Sequence, residues 1–311
     1  MLNIITNISA IFIYILIGFV ANKTKVLPDE ANDHIIKLLL NITAPCLVIS
    51  SIVTKNLNED TVTETIQVLA LSMSFFIIAA MLSLFLVKPF KSNKDKGVLM
   101  VIITSINTGF MGFPIVKAVF SNDVFYLVVI ANIMMTLYVF SICILQVNYG
   151  DEKKLSIKSI FKPLVNILTI STVISVIMLF SHIKLPSYPL EIITTLGDIT
   201  IPLSMMVVGI QLGGSNFKSI VKNHKLIYAS ICNVLLVPAI TLLIMYFTPF
   251  SDNLKLAIVA SSIFPCAVLP VALAYREGKN ATLLAEGVAL TTLFSMITIP
   301  IWLLVLIKIF V

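Results

Sequence analysis

The sequence predicts an all-α polytopic membrane protein: ten transmembrane helices, arranged as two inverted five-helix repeats. Three observations predict it. Apolar residues fill 59% of the 311 positions and charged residues 12%, about half the roughly 25% usual in water-soluble domains. The apolar residues gather into ten stretches near the length of about 20 that a helix needs to cross a bilayer. Finally, helix-breaking residues recur at almost one offset in the two halves of the chain.

Reading apolar runs between charged or turn-rich punctuation places spans 1 to 10 at about 5–21, 34–54, 66–88, 97–119, 123–146, 162–180, 191–212, 225–247, 254–275 and 282–310. The first 21 residues lack a basic lead and an A-x-A cleavage site, so they read as a retained first span. Residues 1–146 form the first repeat, 147–161 a cytoplasmic linker and 162–311 the second repeat. That linker, with Asp151, Glu152, Lys153, Lys154 and Lys158, is the longest connection. No connection is large enough for a soluble enzyme or sensor, so function is expected within the bilayer. Sixteen Lys and Arg flank one side of the spans and five the other. Because positive loops stay inside, both termini are expected outside a cell membrane.

The net charge of +6 does not indicate nucleic acid, because the basic residues are scattered between apolar stretches rather than gathered on one face. Cys46, Cys143, Cys232 and Cys266 lie inside apolar stretches without CxxC spacing, so neither a disulfide framework nor a metal site is expected. No cofactor is indicated. A Ser/His pair, paired catalytic aspartates or an H-E-x-x-H helix is not found, which argues against an intramembrane enzyme.

The repeat rests on two pairs of segments. Asn41-Ile42-Thr43-Ala44-Pro45 in span 2 is echoed in span 7 by Asp198-Ile199-Thr200-Ile201-Pro202, 157 residues on. Asn107-Thr108-Gly109-Phe110-Met111-Gly112-Phe113-Pro114 in span 4 is echoed in span 9 by Ile263 to Pro270, 156 residues on. Five spans per half is an odd number, so the second half enters the membrane from the opposite face, as in secondary transporters. A proline lacks an amide donor, so Pro45 and Pro202 are expected to free the carbonyls of Asn41 and Asp198. Gly109, Gly112 and Pro114, and likewise Pro265 and Pro270, interrupt spans 4 and 9 near mid-depth. Non-helical backbone there must face protein or a watery cavity. The half-helices restarting at these breaks would aim amide donors at one place, a seat for an anion.

These segments, with Leu269-Pro270-Val271-Ala272-Leu273-Ala274-Tyr275-Arg276-Glu277, Gly287 and Pro300, resemble the auxin efflux carrier family over essentially the whole chain, including its bacterial members and the PIN-type plant carriers. The resemblance implies a ten-helix carrier with a scaffold set and a transport set of helices. It also implies broken helices 4 and 9 crossing at the substrate site, and elevator-like export of small organic anions such as auxin-like weak acids or carboxylates. By motif match it places Asn107, Thr108, Gly109, Gly112 and Pro114 on one side of the substrate site and Pro265, Cys266 and Pro270 on the other. Two departures stand out: a central loop of about 15 residues, and Gly109 where a proline would directly follow the Asn107 position. Auxin itself is therefore not inferred.

Among polar residues Asn107 is the foremost substrate contact, since its amide can donate to a carboxylate where helix geometry fails. Asn41 and Pro45 join it as repeat-related candidates. Asp198, with Pro202, is the candidate for coupling or gating, because an intramembrane carboxylate can carry a proton or bind a cation. Glu286 and Lys117 are weaker candidates, and His34, His182 and His224 fall at span edges. Coupling to H+ or to Na+ stays open. The alternative is a sodium-coupled organic anion symporter of bile-acid-transporter-like fold, against which the breaks show no carboxylate-rich cation cage. Gly209 and Gly213 form a G-x-x-x-G that would admit a close neighbour, within the monomer or at a homodimer interface.

Overall fold

The computed structural model describes residues 2–27, 29–57, 60–90, 95–150, 166–215, 220 and 222–311. Most of the expected linker 147–161, with Asp151, Glu152, Lys153, Lys154 and Lys158, lies outside the described residues. Among the described residues all regular structure is helical. In chain order the α-helices are α1 (Leu2–Lys23), α2 (Asp29–Leu38), α3 (Ala44–Val53), α4 (Asp60–Leu86), α5 (Lys96–Thr104), α6 (Phe113–Val119), α7 (Asn122–Phe140) and α8 (Ile142–Val147). There follow α9 (Ile167–Phe180), α10 (Ser187–Asp198), α11 (Thr200–Gly214), α12 (His224–Ile231), α13 (Val237–Tyr246), α14 (Asp252–Ser262), α15 (Leu269–Arg276) and α16 (Ala281–Phe310).

Local sequence accounts for many of these ends. Asn166, Asn223, Ser251 and Asn280 accept backbone N–H bonds at the starts of α9, α12, α14 and α16, the work of N-cap side chains. Pro45, Pro114, Pro238 and Pro270 each occupy the first turn of a helix, where a missing donor costs nothing. Ahead of three of them the chain widens into a π turn, at Leu39–Thr43, Thr108–Gly112 and Cys232–Leu236. The wider turn lets Ala44 N–H reach Leu39 O and Val237 N–H reach Cys232 O, so helix continues into a proline without a ring clash.

Seven helical stretches among the described residues are long and apolar enough to cross a membrane: Asn32–Val53, Asp60–Leu86, Lys96–Val119, Asn122–Val147, Ser187–Gly214, His224–Tyr246 and Ala281–Phe310. Ser9–Lys23 and Ile167–Phe180 are shorter apolar helices, and expected span 9 is divided between α14 and α15. Ile66, Met81 and Phe85 on α4, and Ile297, Ile301 and Leu304 on α16, are each more than half exposed. Large apolar stripes open in this way suit a hydrocarbon surround rather than water.

The chain divides into two compact units, each drawing on both halves of the sequence. The first comprises Met1–Ile66, Gly109–Ile130 and Val165–Gly214. Within it α1 lies along α11, and α3 packs on α9 and α10. The α1–α11 approach is set by glycine: a Cβ at Gly18 would stand 2.1 Å from Met206 O, and one at Gly209 2.0 Å from Ile15 O. A Cβ at Gly213 would meet the Asn22 side chain at 2.6 Å. The G-x-x-x-G thus serves a helix pair inside the monomer.

The second unit comprises Gln67–Thr108, Ala131–Leu164 and Ser215–Val311. Its core is α5, whose residues Val98 to Thr104 are at most 2% exposed. Around α5 stand α8, α12, α16 and the π turn at Cys232–Leu236. Two glycines let them close: a Cβ at Gly97 would lie 2.2 Å from Gln146 O, and one at Gly287 2.4 Å from Ile102 Cδ1.

Candidate functional site

The second unit holds an interruption in each of spans 4 and 9; in span 4 it stands just ahead of the Gly109, Gly112 and Pro114 that the sequence marks. Helix α5 stops at Thr104, and Ser105 to Asn107 are not helical before the π turn at Thr108. Helix α14 stops at Ser262, and α15 begins only at Leu269. The two gaps touch. Asn107 N–H donates to Pro265 O at 2.7 Å, and Ser105 Oγ lies 2.9 Å from Cys266 Sγ. Asn107, Thr108, Pro265, Cys266 and Pro270 are all buried, so this broken backbone is satisfied inside protein, as hydrocarbon requires.

Neighbouring helices supply what the gaps lack. Asn233 Nδ2 donates to Ile103 O at 3.2 Å and Ser105 O at 3.3 Å. Cys266 N–H donates to Thr291 Oγ1 at 3.2 Å, and the Thr291 hydroxyl in turn donates to Gly287 O at 2.9 Å. Below the α5 end lies a buried polar chain. The Thr104 hydroxyl is hydrogen-bonded to the Tyr138 hydroxyl, which donates to Gln146 Oε1 at 2.8 Å. Gln146 Nε2 donates to Ser83 Oγ at 3.1 Å. The Tyr138 ring stacks on Phe76 with centroids 4.7 Å apart. The last turn of α5 is thereby tied to α4, α7 and α8.

Beside the gaps is a small cavity of about 10 Å³, room for about one water molecule. Its walls include Ile106 and Thr108 from the break, Ser72 and Phe75 from α4, Met135 from α7 and Ser261 from α14. The lining is apolar apart from three hydroxyls, and no charged side chain is among its residues. Ser261 Oγ is engaged by Ala257 O at 2.7 Å, whereas buried Ser72 Oγ has no protein partner. A wider groove of about 80 Å³ between α4 and α13, apolar apart from Ser74 and Thr241, shares Phe75 and Ile258 with this cavity.

The remaining predicted site residues belong to the first unit. Gly109 and Gly112 lie in the π turn that leads into α6, and Pro114 in the first turn of α6. A Cβ at Gly109 would meet nothing within 4 Å. Asn41 is exposed, and its amide donates to Lys37 O at 2.8 Å on its own helix. Pro45 is buried, Pro202 half-buried, and Asp198 is the exposed last residue of α10. Lys117 Nζ donates to Asn122 Oδ1 at 2.7 Å and stands 5.3 Å from the Phe125 ring centre.

Sequence reasoning passed over Asn233, Thr291, Ser105, Ser72, Tyr138 and Gln146. Asn233 carried a usable signal, as an amide side chain alone in an otherwise apolar span. The hydroxyls carried none, since Ser and Thr are common in membrane helices and bond back to their own turn.

The chain is also similar to known proteins. A family model described as membrane transport protein matches residues 3–303. An uncharacterized transporter of Methanocaldococcus jannaschii is 23% identical, the alignment covering 94% of this chain and 95% of that protein. An uncharacterized transporter of Methanothermobacter thermautotrophicus is 20% identical, over 96% of this chain and 97% of the relative. With the family match running almost from end to end, the chain belongs to the membrane transport protein family, the auxin efflux carrier family that the span 4 and span 9 segments resemble.

Proposed function

We propose that this protein moves small organic anions across the cell membrane by elevator-type alternating access. The substrate is held where interrupted spans 4 and 9 cross. The observation that carries the reading is the bond from Asn107 N–H to Pro265 O, which joins the two gaps beside a cavity lined by Thr108 and Ile106. Paired discontinuous helices of this kind build transporter sites near mid-membrane. In this reading ten spans form two inverted repeats with both termini outside. Three features support it. Prolines recur at offsets of 156 and 157 residues, Pro114 with Pro270 and Pro45 with Pro202. The repeat-related Thr43 and Thr200 hydroxyls are both buried without a protein partner. Helix α10 packs on α3 while α11 packs on α2, the antiparallel pairing that inversion of spans 2 and 7 demands. The division into two units, each with segments from both halves, supports a fixed part and a moving part.

The cavity also bears on substrate class. Its polar groups are neutral hydroxyls on an otherwise apolar wall. One carboxylate can be met by hydroxyl and backbone donors, but a second would be desolvated without a partner. The reading is therefore an anion with a single carboxylate, for which this small cavity must widen. The test is thermal unfolding of purified protein against mono- and dicarboxylates, indoles and sterol-like anions. At a hundredfold excess over Kd a bound monocarboxylate should stabilise by about 2.7 kcal/mol, and Thr108→Val should lose the shift while melting normally without ligand. Stronger stabilisation by dicarboxylates, or a wild-type response from Thr108→Val, overturns this assignment.

A further inference from the structure

A helix that stops in mid-membrane leaves its last carbonyls without donors, and a helix about to restart leaves its first amides without acceptors. Water cannot relieve them in hydrocarbon, so protein must. Thr104 ends α5. Asn107 N–H, which an unbroken helix would send back to Ile103 O, goes instead to Pro265 O at 2.7 Å. Ile103 O is taken over by the Asn233 amide at 3.2 Å, and the same nitrogen reaches Ser105 O at 3.3 Å. Asn233 is 1% exposed, and its Oδ1 has no protein partner. The amide is therefore oriented by those two carbonyls, and donation to them is the work the structure shows it doing. On the other gap, Thr291 accepts from Cys266 N–H and anchors itself to Gly287 O. Thr291 lies inside the long helix α16 and Asn233 in the π turn between α12 and α13.

We infer that Asn233 and Thr291 are positioning residues. Asn233 holds the carbonyl end of the gap in span 4 and Thr291 the amide end of the gap in span 9, so that Asn107, Thr108 and Cys266 keep the geometry of the site. Neither residue lines the cavity, so each acts through the backbone it holds. The π turn has a part in this: it sets Asn233 in a wider coil just ahead of Pro238. Asn233 and the carbonyls it clamps are about 130 residues apart in sequence, so the clamp ties two distant segments of the second unit together. That these gaps form a substrate site rests on the function proposed above; the clamp itself does not.

The reporter is Cys266, fully buried between Ser105 and Thr291, with fully buried Cys143 in the same unit as internal control. Alkylation of each cysteine by N-ethylmaleimide is followed by peptide mass spectrometry on the full-length protein in detergent. Asn233→Leu removes both donated bonds and should speed Cys266 alkylation roughly tenfold while leaving Cys143 unchanged. Thr291→Val should act in the same direction, and Thr291→Ser, which keeps the hydroxyl, should restore the wild-type rate. Asn233→Asp should resemble wild type when its acid is protonated and Asn233→Leu when it is ionised, because only the neutral acid can donate. An unchanged Cys266 to Cys143 ratio in Asn233→Leu and Thr291→Val, or a Thr291→Ser variant as fast as Thr291→Val, overturns the inference. If the clamp variants accelerate Cys266 while anion binding stays at the wild-type level, the clamp stands and the location of the substrate site falls.

Discussion

Proline removes a donor, and at Pro238 the structure shows what replaces it. Val234 O sits four residues earlier and would receive Pro238 N–H in an ordinary helix; instead it accepts from the indole of Trp302 at 2.9 Å. Trp302 is the single tryptophan of the chain, half-buried on α16. Trp302→Phe keeps the ring and removes the donor, so the carbonyl is left without its partner. It should destabilise the protein by about 1–2 kcal/mol, measurable as a lowered unfolding midpoint in mild detergent. An unchanged midpoint would mean that the bond contributes nothing. The same logic separates Asn41 and Asp198, polar residues 157 positions apart in similar segments. Asn41 satisfies its amide on Lys37 O of its own helix, which favours a local capping part for it, whereas Asp198 sits exposed at the end of α10.

At the scale of elements, glycine and proline do opposite work. Gly18 and Gly209 remove bulk where α1 and α11 touch, each facing backbone of the other helix at about 2 Å from its absent Cβ. Gly209→Ala must push α1 away and should cost about 2–3 kcal/mol. Gly109→Ala meets nothing within 4 Å, so its stability should change by less than about 1 kcal/mol. Comparing the two unfolding midpoints checks this contrast, and a loss of transport in Gly109→Ala at unchanged stability would point to backbone freedom at the span 4 gap. In span 4 Gly109, Gly112 and Pro114 mark the π turn and helix that follow the gap at Ser105 to Asn107 rather than the gap itself, while in span 9 Pro265, which lies in the gap, made it legible in the sequence. The parts that satisfy the gaps were not. Asn233, Thr291 and the Thr104–Tyr138–Gln146–Ser83 chain bond across 8 to 130 residues of sequence, and no periodicity encodes such a pairing. The π turns escaped for a related reason: one extra residue per turn leaves apolar patterning almost unchanged.

For the molecule as a whole, sequence halves and compact units are different divisions. The proposed repeats would split the chain near its middle, whereas each unit collects segments from before and after that point. Spans 4 and 9 show why both divisions matter. Ser105 to Thr108 and Pro265 to Pro270 are gathered into one unit while Gly109 to Ile130 belong to the other. The boundary between the two units thus falls within span 4, directly after its gap. The central claim is that the joined gaps hold the transported anion, with Thr108 at the cavity wall and Asn107 next to it in the chain. Its most direct test is flux of the anion found by thermal screening into proteoliposomes, comparing wild type with Asn107→Ala. With charge-assisted contacts at stake, the variant should lose at least about tenfold in flux at an unchanged unfolding midpoint; flux equal to wild type would contradict the account.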